Sequence, residues 1–445
     1  MTVQNETLEN KPDKHKDIEY KRAYTGIFSL NYLVQGFTTS MFTVVVPIYI
    51  ITVLTQAGRP ISESEISFVA SIILIPSAIK LIYGIFSDKF GIKGFGRRRP
   101  WIIAPVFIGG LMWIIMPVVI TPQNILMVIV ILGVIIQVGI MLGDTSLDGL
   151  IIDICPKERI GRVQGVVWGA RSIGQISGGP LLAVLYIFDL IAFEGTFIVL
   201  GVLMIFSSLM VFLVKEPLEF LKVKAFKQIK GLFKKKKDIK TYFFALFNSV
   251  SDGVVMLFIS LYILIQFGVL QAGASLSLTP SSSKDALFFQ AIFTLVISGG
   301  IIIGAILGGA ITDLISRRLC IYTSMVFTSA SLLLMLITEN PFILLIIATI
   351  IGLGLGWRHS GYAAVTSRIA SSHPEITSTY FAWTNPLSNL GSTTGLAFAG
   401  FLFDISQSYL LIFLVFAFAQ LINLIPFSTI NSKHYQDSEK KANKT

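Results

Sequence analysis

The chain has 445 residues, 53% hydrophobic and 13% charged, with a mean hydropathy of +0.76, whereas a soluble domain carries about a quarter charged residues. That excludes soluble enzymes, disordered chains and disulfide-stapled secreted domains, and leaves room for twelve membrane spans of about 20 residues each. The formal charge of +10 follows from orientation in a bilayer and calls for no nucleic acid.

Residues 1–23 are polar and lysine-rich, with no apolar core before a cleavage site, so they read as a cytoplasmic tail and not a signal peptide. Six apolar stretches follow: Tyr24–Ile51, Ile66–Phe86, Trp101–Ile120, Ile125–Leu150, Val163–Ile187 and Ile191–Val214. They form an expected six-helix bundle over 24–214. The interval 215–240 is basic, contains Lys234 to Lys237 in a row and has no long apolar run; it reads as a cytoplasmic linker able to lie on anionic lipid. A second six-helix bundle is expected over 241–430, with spans Tyr242–Phe267, Ala286–Ile311, Leu319–Ile337, Phe342–Thr366, Tyr380–Phe403 and Leu410–Ile430. Residues 431–445 form a carboxyl-terminal tail.

Lysine and arginine resist translocation. With the amino terminus inside, 30 of the 35 basic residues fall on the cytoplasmic side, only Arg59 and Lys284 fall outside, and Lys80, Arg171 and Arg358 lie within spans. Both termini are then cytoplasmic. Cys155 and Cys320 sit beside basic loops, so no disulfide is expected. The expected location is the plasma membrane, as a multi-pass monomer.

The two halves echo each other. Gly84-Ile85-Phe86-Ser87-Asp88 closes span two and Gly309-Ala310-Ile311-Thr312-Asp313 closes span eight, followed by Lys89 and Arg97-Arg98 in one case and Arg317-Arg318 in the other. Ser172-Ile173-Gly174 in span five has a counterpart in Ser388-Asn389-Leu390-Gly391 in span eleven. Parallel six-span repeats are an architecture of secondary transporters.

At these residues the chain resembles the major facilitator superfamily over essentially its whole length. Gly84, Asp88, Lys89, Gly91, Arg97 and Arg98 match that family's loop between helices two and three, with five extra residues before the arginines. The longer loop, ending Gly96-Arg97-Arg98-Arg99-Pro100-Trp101, is similar to that of sucrose transporters and related glycoside:cation symporters. The resemblance implies an all-α membrane fold of two six-helix bundles. It also implies a cytoplasmic gate formed by Gly84, Asp88, Lys89, Arg97 and Arg98, with Asp153 as an arginine partner and Asp313 and Arg317 as the repeat. Gly165, Gly169, Gly174, Gly178 and Gly179 in span five, and Gly300, Gly304 and Gly308 in span eight, would let helices five and eight slide on each other between the halves.

A charge in hydrocarbon costs at least about 2.5 to 3.5 kcal/mol and calls for a partner or a pathway. Lys80, Asp144, Asp148, Arg171, Asp252 and Arg358 lie about 8 to 17 Å deep at 1.5 Å per residue, sum to zero, and are expected to neutralise one another around a central cavity. Asp144 and Asp148 share a helix face, so double ionisation is disfavoured and a proton site follows. Arg171 could pair with either. On the family's fold Asp144, Asp148, Asp252 and Arg358 line the cavity, with Gln35 beside them; Trp168, Trp383 and Asn385 could contribute an aromatic platform and an amide, and His359 could titrate there. The alternative is that the charges only fix helix packing.

The expected function is secondary active transport of a small polar organic solute, with a sugar or glycoside among the candidates, by proton-coupled symport and without a cofactor or metal. Lys80 stands in span two where sodium-coupled relatives carry acids, which points away from sodium. An exporter of lipophilic compounds and a non-transporting sensor or delivery protein are the alternatives. No Gly-x-x-x-x-Gly-Lys-Ser/Thr motif and no His-Glu-x-x-His motif occur, which argues against an ATP-driven pump and a metalloenzyme.

Overall fold

The computed structural model describes residues 20–92, 94–156, 159–216, 232–233, 238–271, 275–279, 283–372, 377–432 and 435. Among them twelve long helices follow in order: α1 (Arg22–Gln56), α2 (Glu63–Ser87), α3 (Arg99–Val119), α4 (Ile125–Ile154), α5 (Ile160–Ile187), α6 (Phe193–Leu213), α7 (Asp238–Gln266), α8 (Ser283–Leu314), α9 (Arg317–Leu336), α10 (Pro341–Ser371), α11 (Thr377–Ser406) and α12 (Tyr409–Ser428). Each overlaps one expected apolar stretch. Ten are long and apolar enough to cross a membrane. The other two, α5 and α11, are diluted by glycine, serine and threonine, and those small residues set how they pack. Most of the expected linker 215–240 and both tails lie outside the described residues.

The repeat visible in the sequence recurs in the packing. Gly174 and Gly178 of α5 press on Leu33 and Phe37 of α1, while Gly391 and Gly395 of α11 press on Leu246 and Val250 of α7. A β-carbon at Gly174, Gly391 or Gly395 would overlap the facing main chain. The α8 glycines do something different from the expected sliding surface: Gly300 and Gly304 meet Thr349 and Leu353 of α10, and Gly352 and Gly356 of α10 meet Ile297 and Ile301 of α8. Helices α5 and α8 do touch, but these glycines bind helices within each half. Gly165 and Gly169 have open space beside them: among the described residues, no atom of a neighbouring element comes within 4 Å of the point a β-carbon would occupy.

In three helices the sequence explains an interior irregularity. Pro47 lacks an N–H, so the Thr43 carbonyl loses its helical donor; α1 takes a π-helical turn over Met41–Val45, and Gln290 of α8 donates to Thr43 O at 3.1 Å. Helix α2 contains Pro76 and breaks at Ile79, restarting at Lys80. Helix α7 breaks across Asn248-Ser249-Val250-Ser251, where short polar side chains compete for main-chain groups. It restarts at Asp252 and takes a second π turn over Val255–Ile259.

The apolar core is shared at one end of the molecule and divided at the other. One large cluster takes residues from both halves, including Val44, Ile66, Phe197, Phe258, Ile297 and Phe413. At the end carrying the basic loops, a second cluster belongs wholly to the first half, around Phe28, Tyr32 and Leu150. The third is built from the second half around Phe244, Tyr362 and Phe427, with Leu81 packed against it.

Among the described residues, polar bonds join the halves at and beyond mid-membrane. Ile61 pairs main chain to main chain with Leu276, beside a short hairpin of β1 (Leu270–Gln271) and β2 (Ser277–Leu278). Tyr409 donates to Glu63 at 2.8 Å, Ser67 to Leu396 O at 2.6 Å, and Lys284 pairs with Asp189. Closer to the basic end Asn389 donates to Ser77 O at 3.3 Å. This conformation is therefore closed at the face opposite the basic loops.

Candidate functional site

The six intramembrane charges do not form one ring. They fall into two clusters, each neutral within its own half. In the first half Asp144, fully buried on α4, is held by Lys80 from the break in α2 and by Arg171 Nη1 of α5 at 3.1 Å. Asp148, one turn along α4, lies 3.9 Å from Lys80 and accepts a hydrogen bond from Tyr32 of α1. Of the two carboxylates open to Arg171, the arginine takes Asp144. Its guanidinium also lies 5.1 Å from the Trp168 ring centre, and Trp168 is 45% exposed and tilted against Tyr32. The cluster thus has a buried floor, Asp144, and a partly exposed rim of Asp148, Trp168 and Lys80.

In the second half Asp252 starts the resumed segment of α7, where a carboxylate complements the helix amino terminus. It pairs with Arg358 Nη2 and with His359 Nε2 at 3.0 Å. Arg358 does not line a cavity wall as expected. It is fully buried behind Asp252, donating to Gln420 Oε1 at 2.7 Å and Ser251 Oγ at 3.2 Å. The physical reason is its own partners: α12 offers Gln420, and the break in α7 turns Ser251 toward it. His359 is the most exposed member of this cluster. Gln35 is buried on α1, Asn385 is half-buried on α11, and Trp383 packs against Phe233 and Tyr242.

The expected gate residues sit at the basic end. Arg97 Nη2 and Arg98 Nε bind Asp153 Oδ2 at 2.6 and 3.0 Å, and Arg98 also donates to Ser87 while its guanidinium takes the space a β-carbon at Gly149 would need. Glu216, just past α6, accepts from the main-chain N–H groups of Arg97, Arg98 and Arg99 at 2.7 to 3.1 Å. Burial pushes the Glu216 carboxyl up from its ordinary value, against the downward pull of those three amides. Gly96 must be glycine there, since its φ is +117° and a β-carbon would strike Glu216. These partners all belong to the first half. Gly84 packs on Thr145 of α4, Lys89 lies 5.2 Å from the Phe90 ring centre, and Arg317 donates to Tyr435 O at 3.0 Å. Asp313 is exposed at the end of α8. The Asp88 side chain lies outside the described residues.

Sequence reasoning missed Glu216, Tyr32, Gln420 and Ser251. Glu216 carried a signal, as an acid in Lys215-Glu216-Pro217 beside an arginine-rich loop. Gln420 carried one as the strongly polar side chain midway along α12. Tyr32 carried none, because nothing in its neighbourhood points to α4.

The family profile described as "Major Facilitator Superfamily" matches residues 28–299, and that described as "Sugar (and other) transporter" matches 243–445. A protein named "Probable folate-biopterin transporter 4" from Arabidopsis thaliana is 26% identical over 162 residues, covering 36% of this chain and 32% of the relative. The chain therefore matches about a third of that relative's length. Among solved structures, a D-xylose–proton symporter superposes with a TM-score of 0.67 at 14% identity, covering 92% of this chain and 97% of the other. The nucleoside transporter NupG superposes with a TM-score of 0.66 at 14% identity, covering 92% and 99%. A bacterial homologue of the lysosomal transporter Spinster, inward-facing and unoccupied, gives 0.62 at 14% identity, covering 93% and 95%. With more than half of its length matched by the first profile, the chain is an integral multi-pass membrane protein that belongs to the major facilitator superfamily and carries its transporter fold.

Proposed function

We propose that this chain is a secondary transporter that moves a small polar organic solute by alternating access, driven by protons, with its basic face and both termini in the cytoplasm and the plasma membrane as its site. The observation that carries this reading is the divided core: the halves share one apolar cluster at the far face and keep separate clusters at the basic face. Each half also neutralises its own share of the six intramembrane charges, so the halves can rock without tearing an ion pair among those six across the interface.

Proton coupling falls to Asp148. It sits beside Asp144 on α4 and is partly exposed, whereas Asp144 is buried and committed to Lys80 and Arg171. A proton on Asp148 leaves the cluster with one net positive charge, a costly state in low dielectric that a solute bringing an anionic group offsets. The partial match to a protein named for folate and biopterin adds those compounds to the solutes worth testing alongside glycosides.

The test is uptake into proteoliposomes under an imposed pH gradient, over a panel of folate, biopterin, glycosides and organic acids. Asp148→Asn should abolish uphill accumulation while leaving exchange, and accumulation unchanged in both Asp144→Asn and Asp148→Asn removes the proton. Cysteines placed at Ile61 and Leu276, which already pair main chain to main chain, should lock the far face when oxidised. Undiminished transport through the oxidised protein removes alternating access.

A further inference from the structure

At mid-membrane, where the halves meet, α1, α2, α7 and α11 line a half-open cavity of about 190 Å³. Its walls are mostly apolar, with Phe42, Val46, Ile73, Met256 and Leu396 among them, and its polar residues are Thr43, Ser392 and Asp252. The Thr43 hydroxyl is already committed to the carbonyls of Thr39 and Ser40 at 3.2 Å each. Of the residues expected to bind solute, Asp252 is the one that lines this cavity.

Two features distinguish it from a packing defect. The π-helical turns of α1 and α7, one from each half, both contribute to its wall, through Phe42 and Thr43 and through Met256 and Leu257; such turns are rare and gather at functional sites. The second feature is the carboxylate itself. Arg358 and His359 occupy one position on each Asp252 oxygen, and a carboxylate offers about four acceptor positions, so acceptor capacity remains on this cavity-lining residue, whose side chain is partly exposed.

Size and polarity select the occupant. An apolar cavity of about 150 Å³ holds a benzene ring, so this one takes a substituted or fused ring. A pyranose would carry more hydroxyls than Thr43, Ser392 and Asp252 can bond between them, at about 1 to 3 kcal/mol for each one left unsatisfied. Asp252 with Arg358 is already neutral, so the ring needs no positive charge, only a donor. We infer that the cavity binds one planar apolar ring that carries an N–H or similar donor on the edge facing Asp252. That the ring is part of the cargo rests on the transport reading above, whereas its binding here does not.

The probe is 5-fluoroindole, followed by fluorine NMR with the full chain in detergent micelles. The wild-type protein should broaden its line beyond the broadening by Ala70→Phe, which fills the cavity from α2. Indole should displace the probe, and benzofuran, the same shape without a donor, should do so at least about tenfold more weakly, the value of one hydrogen bond to a charged group. Glucose should not displace it. Equal broadening by both proteins, equal displacement by benzofuran, or displacement by glucose overturns the inference. If Ala70→Phe does not elute as a monodisperse protein, the three competitions on the wild type decide. Loss of ring binding with transport still blocked by the oxidised Ile61→Cys/Leu276→Cys pair removes the ring site alone; ring binding with transport through that pair removes the transport reading alone.

Discussion

The two charge clusters solve the same problem in opposite ways. In the first half one buried carboxylate, Asp144, is shared by two cations, Lys80 and Arg171, and the surplus charge is carried by Asp148 at the rim. In the second half one buried cation, Arg358, is held by a single carboxylate and two neutral acceptors, Gln420 and Ser251, with His359 at the rim. The first arrangement has redundancy at its floor and the second has none. Tolerance of substitution should therefore differ between halves that share one architecture.

The largest effect is expected where redundancy is lacking. Asp252→Leu leaves Arg358 buried with neutral partners, and removing one member of a buried pair costs about 3 to 5 kcal/mol, read as a large fall in the apparent Tm of the protein in detergent. Adding Arg358→Leu should restore most of that loss, because an apolar replacement of the whole pair is often close to neutral. Should the double variant be as unstable as the single, the pair is not the unit it is described as.

In the first half the same operation should be milder. Lys80→Met leaves Asp144 with Arg171, and Arg171→Met leaves it with Lys80, so each is expected to cost about 1 to 3 kcal/mol. The two together should cost more than their sum, since only then is Asp144 stranded. Additive losses in a double-mutant cycle would erase the contrast between the halves.

How much of this was legible in the sequence depends on the kind of interaction. The twelve helices and the repeat were written in long apolar stretches and in paired motifs such as Gly84 to Asp88 and Gly309 to Asp313, because a bilayer forces every span to be long and apolar. The intramembrane charges were equally visible as residues. Their pairing was not, since pairing depends on where α2 and α7 break and which side chain of a distant helix faces the break. Pro76 and the Asn248 to Ser251 run signalled breaks, but no pattern says that Ser251 turns Arg358 away from the interface toward Gln420 on α12. The glycines show the same limit: four-residue spacing announced close approach, and only the assembled helices reveal that α8 meets α10.

The arginine loop sharpens the comparison at smaller scale. Glu216 caps three main-chain donors of the first half at once. Losing a helix cap costs about 0.5 to 2 kcal/mol, so Glu216→Ala is expected to fall in that range. Glu216→Gln, which keeps an acceptor oxygen, should recover part of it. If alanine and glutamine lower the apparent Tm equally, the carboxylate's charge and not its acceptor geometry holds the loop.

The smallest expected effect is a gain. Gly169 lies inside α5 with open space beside it, and glycine in a helix interior is worse than alanine by about 0.5 to 1 kcal/mol, so Gly169→Ala should raise the apparent Tm slightly. Glycine persists there at a cost that packing in this conformation does not explain, in contrast to Gly174 one turn and a half further along, where α1 leaves no room for a β-carbon. In the transport reading the explanation lies in the other conformation: closing the basic face brings α5 toward the second half and uses the space beside Gly169. Gly169→Leu should then keep the protein folded and ring binding intact while uptake falls. Uptake equal to that of the wild type would mean that this side of α5 meets lipid or water in both states, and that the closing surface of the first half lies elsewhere.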